Sequence, residues 1–401
     1  MSVTTLQSSE LDVVGADLTV ELPGGRVVPF AHLDYAASAP CVRAAADAVR
    51  DLLPWYGSVH RGTGLRSQTS TLEYERAREV VAEFLGARAG DEVIFTRNTT
   101  DALNLLARAL PAGTTTVVFD GEHHANLLPW PSVRRLPAPA GPDAAVETLA
   151  AALAGLSGPV LVAVTGASNV TGEIWPVRRL ADVAHAYGAR VVVDAAQLAP
   201  HVPIDLHELG ADYLALSGHK LYAPFGSGVL AGRRDWLDAA EPYLRGGGAS
   251  AAVGDEPGDV VWSTGPARHE GGTPNLLGAV SLGAVCAALL RADRVALYEH
   301  EQSLLSGLEG VTLFGGRAPR VGIVSFAVPD PAAVADRLSR DYGIGVRAGQ
   351  FCAHPLVRRL TGGATGDCAS TGLLRASFGL GSTATDVERL VSALTELGLR
   401  G

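Results

Sequence analysis

The chain has 401 residues, 47% of them hydrophobic and 18% charged, and 42 acidic residues against 32 basic ones give a formal charge of −10. A chain of this length buries a large core and is expected to divide into two domains. No basic run or aromatic-basic stripe is present to track a phosphate backbone, which argues against nucleic acid as a partner. Met1 to Val14 carries acidic residues and no apolar h-region, so it does not read as a signal peptide. The longest apolar stretch, Leu276 to Leu290, is broken by Gly278, Ser281 and Gly283 and is shorter than the roughly 20 residues that span a bilayer. A buried or interface helix is expected there, with no membrane as a partner. Cys41, Cys286, Cys352 and Cys368 lack zinc spacing or a CxxC, so no metal site is expected and the compartment reads as cytoplasmic. Cys41 and Cys286 fall in alanine-rich helical patterns, where a free cysteine acts as a small hydrophobe.

In chain order, Ser70 to Glu73 matches a capping box and predicts a helix opening there and running to Leu85 and Gly86. Five β-branched runs follow: Val93 to Thr96, Thr116 to Phe119, Val160 to Thr165, Arg190 to Asp194 and Tyr213 to Ser217. They alternate with helical patterns such as Leu180, Val183, Ala184 and Tyr187, closed by Gly188. That alternation predicts an α/β fold with a largely parallel sheet. The Gly/Pro-rich segments Gly246 to Gly272 and Gly362 to Gly372 read as long loops. After Ala292, short strands at Val321 to Phe326 and Ile344 to Val346 and a helix from Thr385 to Leu399 suggest a smaller α+β domain.

In open α/β sheets ligands gather where strands end, so the residues just past each run are the candidates. Thr99 and Thr100, at a helix start, suit a phosphate, although taken alone an ordinary N-cap explains them better and only the other strand ends tip the balance. His123 and His124 follow the next run; an imidazole there can stack on a flat ring, and two adjacent histidines without a third ligand make metal the weaker reading. Asn169 lies in a polar turn. Asp194 ends a β-branched run, where a carboxylate is costly unless something positive meets it; a protonated pyridine nitrogen would do so, and so would a structural ion pair. One βα unit later Lys220 follows Ser217-Gly218-His219, placing an amine where it can condense with an aldehyde cofactor.

Ten segments in order, DYAASAP (Asp34 to Pro40), VHRG (Val59 to Gly62), TRNTTDALN (Thr96 to Asn104), EHHANLLPW (Glu122 to Trp130), SNVTGE (Ser168 to Glu173), VDAAQ (Val193 to Gln197), SGHKLYAPFGSG (Ser217 to Gly228), EGGTPN (Glu270 to Asn275), FCAHPL (Phe351 to Leu356) and LRASFG (Leu374 to Gly379), resemble the motifs of the cysteine desulfurase and selenocysteine lyase family of class V aminotransferase-like enzymes. The resemblance implies a pyridoxal-phosphate-dependent transferase fold of type I. A large domain, 31–292, would hold a mainly parallel seven-stranded sheet, and 1–30 with 293–401 would form a small α+β domain carrying the cysteine loop. It implies a homodimer, with Lys220 bearing the pyridoxal 5'-phosphate and acting as base, Asp194 on the ring nitrogen and His123 stacking on the ring. Gln197 and Asn169 would lie near the ring oxygen and the substrate. Thr100, Ser217 and His219 would take the phosphate together with Thr273 of the other subunit. Arg375 would bind the substrate carboxylate, with His60 and Arg347 also beside the substrate.

The same resemblance makes Cys352 the sulfur acceptor, converting L-cysteine to L-alanine and passing persulfide sulfur to an acceptor protein. The alternative is a C–S lyase, epimerase or aminotransferase acting on another amino acid without a persulfide on Cys352. The chain is similar to the branch with a short cysteine loop reading RxGHHCA, with Gln350 and Phe351 in place of the two histidines. Arg347 and His354 stand close enough in sequence to favour the Cys352 thiolate.

Overall fold

Valine-rich runs build the centre of the molecule, because β-branched side chains fit a pleated surface and a sheet covered on both faces buries every position of a strand. The computed structural model describes residues 9–308, 311, 313–315, 318–362 and 372–399. Its main strands are β1 (Asp91–Thr96), β2 (Thr115–Phe119), β3 (Val133–Leu136), β4 (Val160–Thr165), β5 (Arg190–Asp194), β6 (Tyr213–Ser217) and β7 (Gly228–Arg233). They form one seven-stranded sheet in the order β1-β7-β6-β5-β4-β2-β3. From β6 to β3 the neighbours are parallel, and β7 runs antiparallel to β6 and β1. The α/β fold with a mainly parallel seven-stranded sheet is present. The five sequence runs do not include β3, which exposes three of its four residues, or β7, whose GVLAGR carries two glycines.

The helix expected to open at Ser70 begins earlier, spanning Leu65–Phe84. The Ser70 hydroxyl accepts from the Gly57 amide (2.9 Å) and that of Thr71 from the His60 amide (2.8 Å), so both serve the preceding loop and neither caps the helix. Helix Leu276–Arg291 packs against it, and the second of the two glycines in its apolar run has a use: a Cβ at Gly283 would come within 2.9 Å of the Ala77 Cβ. Among the described residues no single helix is long and apolar enough to cross a membrane. Cys286 lies buried inside that helix, whereas Cys41 precedes the helix Arg43–Leu52 and is not itself helical. The segment read as a loop from Gly246 contains an antiparallel hairpin, Ser250–Val253 with Val260–Trp262.

The later chain forms a second sheet from β8 (Ile323–Phe326), β9 (Arg347–Gly349) and β10 (Leu373–Ser377), in the order β8-β10-β9 and antiparallel throughout. Leu338, Phe378, Leu390 and Leu394 pack into one apolar cluster here. Ala31–His32 pairs in parallel with Ile344–Gly345, tying the early chain to this layer. The final helix, Ala384–Glu396, opens on a reciprocal Thr383–Asp386 capping box. Most of Gly362 to Gly372, with Cys368, lies outside the described residues.

Glu270, from EGGTPN, fastens the sheet edge to the long helix. Its carboxylate accepts from Arg78 Nη1 (2.7 Å) and Nη2 (2.9 Å), the Phe95 amide (2.7 Å) and the Tyr74 hydroxyl (2.9 Å). Glu270 has a side-chain exposure of 5% and Arg78 one of 12%. Removing Glu270 leaves the Tyr74 hydroxyl and the Phe95 amide without their acceptor, and Arg78 keeps only the half-exposed Glu75 as its carboxylate partner. Glu270→Ala is therefore expected to cost about 1–3 kcal/mol of stability, read from urea unfolding.

Candidate active site

The parallel strands β2, β4, β5 and β6 bring their carboxyl ends to one edge of the sheet, and β1 ends beside them because β7 turns back between β1 and β6. Here a cavity of about 260 Å³ opens, with β9 and β10 of the smaller sheet contributing its far wall through Arg347 and Arg375. At one end, the Thr99 amide donates to Ser217 Oγ (2.8 Å), and the Thr99 and Ser217 hydroxyls share a hydrogen bond of 2.7 Å. Gly228, opening β7, pairs with both Thr96 and Ser217, and a Cβ on it would lie 2.5 Å from the Asn98 Cα. A bare backbone at 228 is thus what lets the Thr99 and Ser217 hydroxyls meet. Asn98 caps the helix Thr99–Ala109 by accepting from the Asp101 amide (3.0 Å), so Thr99 and Thr100 are free of that task.

Asp194 is buried at the end of β5, and its Oδ1 accepts from the Ala196 amide (3.0 Å). Burial pushes the carboxyl upward while the nearby Lys220 opposes the shift. Lys220 follows β6 by a tight turn, and burial lowers its ammonium to about 8 against the attraction of Asp194. Its amine is thus held close to the point of losing its proton at neutral pH. His123 caps the short helix His124–Leu127 with its ring, Nδ1 accepting from the Ala125 amide (3.1 Å). Burial, reinforced by Lys220, drives its pKa to about 3, so the ring stays neutral with its proton on Nε2.

Glu122, directly before His123, is completely buried. Its oxygens accept from Asn126 Nδ2 (2.8 Å) and the Thr165 amide (3.1 Å), and Thr165 is the register partner of Asp194. Burial raises this carboxyl to about 8, with the charge of Asp194 adding to the rise. A carboxyl raised on folding lends stability below its unfolded pKa, roughly 4.3, that is lost as pH rises through the folded value. Glu122→Gln mimics the protonated form, with Asn126 Oδ1, which has no partner, available to accept from the new amide once the Asn126 side chain turns over. The gain in urea midpoint of this variant over the parent is expected to grow from pH 5 to pH 8, and a flat difference would remove the argument.

Cys352 sits in a turn closed by the Ala353 amide donating to the Gln350 carbonyl (2.9 Å). Phe351 (φ 51°) and Cys352 (φ 53°) both adopt the left-handed conformation, costly for residues with a side chain. Two clamps hold it: Asn169 Nδ2 donates to the Phe351 carbonyl (2.7 Å), and the His124 amide donates to the Cys352 carbonyl (2.7 Å). The thiol is exposed at the cavity mouth. Arg375 is 3% exposed; its Nη1 donates to the Asn169 carbonyl (3.0 Å), its Nη2 to Asp34 (3.1 Å), and the Phe351 ring lies 4.7 Å from its guanidinium carbon.

The structure brings Thr99, Thr100, His123, Asn169, Asp194, Ser217, His219, Lys220, Arg347, Cys352 and Arg375 to this one cavity. Gln197 is buried nearby, and its Nε2 donates to the Ala36 carbonyl (2.8 Å). His60 stands elsewhere, its Nε2 2.7 Å from Glu75 Oε1, lining a separate cavity of about 390 Å³ with Gly272 and Pro274. Thr273, between those two residues, is exposed. Sequence reasoning missed Asp34, Glu122 and the structural duty of the Asn169 amide. Asp34 and Glu122 lie within segments that carry the family resemblance, and that position was the available signal.

An aminotransferase class-V family model matches residues 31–390. A probable cysteine desulfurase of Halalkalibacterium halodurans is 38% identical over 389 residues, covering 91% of this chain and 92% of that protein. A cysteine desulfurase of Klebsiella pneumoniae is 36% identical over 390 residues, covering 92% and 93%. Among solved structures, the apo cysteine desulfurase of Thermococcus onnurineus superposes with a TM-score of 0.83 at 33% identity, covering 92% of this chain and 94% of that one. The cysteine desulfurase CsdA of Escherichia coli, in an S-sulfonic acid form, gives 0.79 at 33% identity, covering 95% and 98%. The chain therefore belongs to the aminotransferase class-V family. Within that family, the relatives and structures just described all carry the name cysteine desulfurase.

Proposed function

We propose that the chain is a pyridoxal-phosphate-dependent cysteine desulfurase that converts L-cysteine to L-alanine and leaves the sulfur as a persulfide on Cys352. The observation that carries this is one cavity walled by Lys220, Asp194, His123, Arg375 and Cys352. The residues fit the cofactor: hydroxyls cluster at one end, a buried carboxylate faces an enclosed lysine at the other, and Arg375 Nε is buried without a partner.

Thr99, Thr100, Ser217 and His219 would hold the phosphate, Asp194 the ring nitrogen and His123 the ring face. When bound, the cofactor supplies an aldehyde that carries the substrate amine and a ring that takes up the electron pair released at the substrate carbon. Lys220 Nζ would hold the aldehyde at rest, and its amine, poised to give up its proton, would then move the proton of the substrate α-carbon. Arg375 binds the substrate carboxylate and fixes which carbon faces Lys220. The neutral His123 ring shields that carbon from water. Cys352 Sγ attacks the substrate sulfur as thiolate, an S–S bond replacing the C–S bond, so that cysteine and one thiol become alanine and one persulfide.

The homodimer belongs to the same proposal, since exposed Thr273 lies outside this cavity and suits a role at the phosphate end of a second copy. So do the division into 31–292 against 1–30 with 293–401, a cytoplasmic setting, and a sulfur-acceptor protein meeting the exposed Cys352. The test is to incubate the purified protein, loaded with pyridoxal phosphate, with L-cysteine, and to measure free alanine together with the mass of the Cys352 peptide. Alanine and persulfide in equal amounts in the first turnover support the reading. Alanine without added sulfur on Cys352 refutes it.

A further inference from the structure

Of the two arginines lining the cavity, Arg375 is enclosed and Arg347 is exposed. They are register partners on β9 and β10, and one carboxylate spans them. Asp34 Oδ1 accepts from Arg375 Nη2 at 3.1 Å, and Asp34 Oδ2 stands 3.6 Å from Arg347 Nη1. The backbone around Asp34 is fixed on both sides. The Ser377 amide donates to the Leu33 carbonyl (2.8 Å), and Ser377 Oγ accepts from the Ala36 amide (2.9 Å). Two guanidiniums and one carboxylate leave this trio a single net positive charge. With Nη1 taken by the Asn169 carbonyl, Arg375 Nε is a buried donor with no partner. A buried donor left open in a cavity wall marks where a ligand acceptor belongs.

We propose that Asp34 is a specificity-determining residue: it holds Arg375 and Arg347 as a docking point of one net positive charge, matched to an amino acid with one carboxylate and selective against one with two. The inference rests on the desulfurase reading, which makes Arg375 the carboxylate anchor. A second carboxylate meets no spare cation in this trio, whereas Asp34→Asn frees one. Discrimination of this kind arises as much from the unmatched charge as from the matched one.

The experiment measures binding of L-alanine and of L-aspartate to the cofactor-loaded protein by calorimetry, with no turnover required. In Asp34→Asn the preference for alanine over aspartate is expected to fall by about tenfold. Asp34→Glu should keep the parent preference, and adding Arg347→Gln to Asp34→Asn should restore it. Should Asp34→Asn fail to fold, Arg347→Gln alone still decides, because it must move the preference the opposite way. An unchanged ratio in a folded Asp34→Asn, or a shift that Arg347→Gln does not reverse, overturns the proposal. A parent protein that makes no persulfide from L-cysteine sinks the desulfurase reading separately, since the binding ratio is read without sulfur chemistry.

Discussion

Lys220→Ala is expected to lower L-cysteine turnover by about a thousandfold or more, because one side chain both carries the aldehyde and moves the proton, and general base catalysis alone contributes roughly 100- to 10,000-fold. Lys220→Arg should do no better, since a guanidinium does not give up its proton near neutral pH. A second readout is independent of turnover. Borohydride reduction of the loaded parent should couple the cofactor covalently to the peptide containing residue 220, and in Lys220→Ala no such adduct should form. Stability without cofactor gives a third. Burial holds this ammonium near 8, below the roughly 10.4 of an unfolded lysine. Between those values the unfolded chain binds more protons, so Lys220 makes stability rise with pH through that window and withholds it as pH falls through 8. Urea midpoints from pH 7.5 to 10.5 should therefore climb more steeply in the parent than in Lys220→Ala. Equal slopes would show that Lys220 is not enclosed as described.

Asp194 and Lys220 were legible in the sequence because one ends a strand-like run and the other follows the next such run by a short turn, and the carboxyl ends of parallel strands meet at one edge whatever the loops do. Ser217 ends β6 and Thr99 opens the helix that follows β1, two strands that are not adjacent, and their pairing depends on β7 running back between them. That reversal was hidden because β7, with a glycine near each end, does not look like a buried strand. The Ser70–Glu73 box misled for a related reason: its hydroxyls are as well suited to a loop amide as to a helix start, and only the fold decides. Beyond its place in a family-like segment, nothing local marked Asp34 as a site residue, because its partner Arg375 is 341 positions away. Glu122 reads as an ordinary acidic residue until the Thr165 amide of β4 is placed on it. The paired left-handed conformations of Phe351 and Cys352 left no trace, since neither residue type announces a positive φ.

That pair of conformations bears on the second large effect, expected from Cys352→Ala. The turn is held by backbone and neighbouring groups: the His124 amide on the 352 carbonyl, Asn169 Nδ2 on the 351 carbonyl, and the Ala353 amide on Gln350. None of these uses the thiol, so Cys352→Ala should fold with a stability change within about 1 kcal/mol of the parent. Sulfur transfer should nevertheless drop by about a hundredfold or more, with no persulfide on the chain, because no other nucleophile replaces Sγ. Of the other cysteines among the described residues, Cys286 is buried inside a helix with its thiol pushed above its usual range, so it offers no substitute. The steps that depend on Lys220 should survive, and L-cysteine added to Cys352→Ala should still change the cofactor's absorbance while alanine and sulfide fail to appear. Asn169→Ala separates geometry from chemistry. It keeps the thiol but removes one of the clamps on a strained turn, so its loss should be smaller than that of Cys352→Ala. If both variants form alanine at the parent's rate, the sulfur goes to a nucleophile other than Cys352, and if pyruvate and sulfide appear in place of alanine, the lyase chemistry weighed against the desulfurase from sequence takes its place.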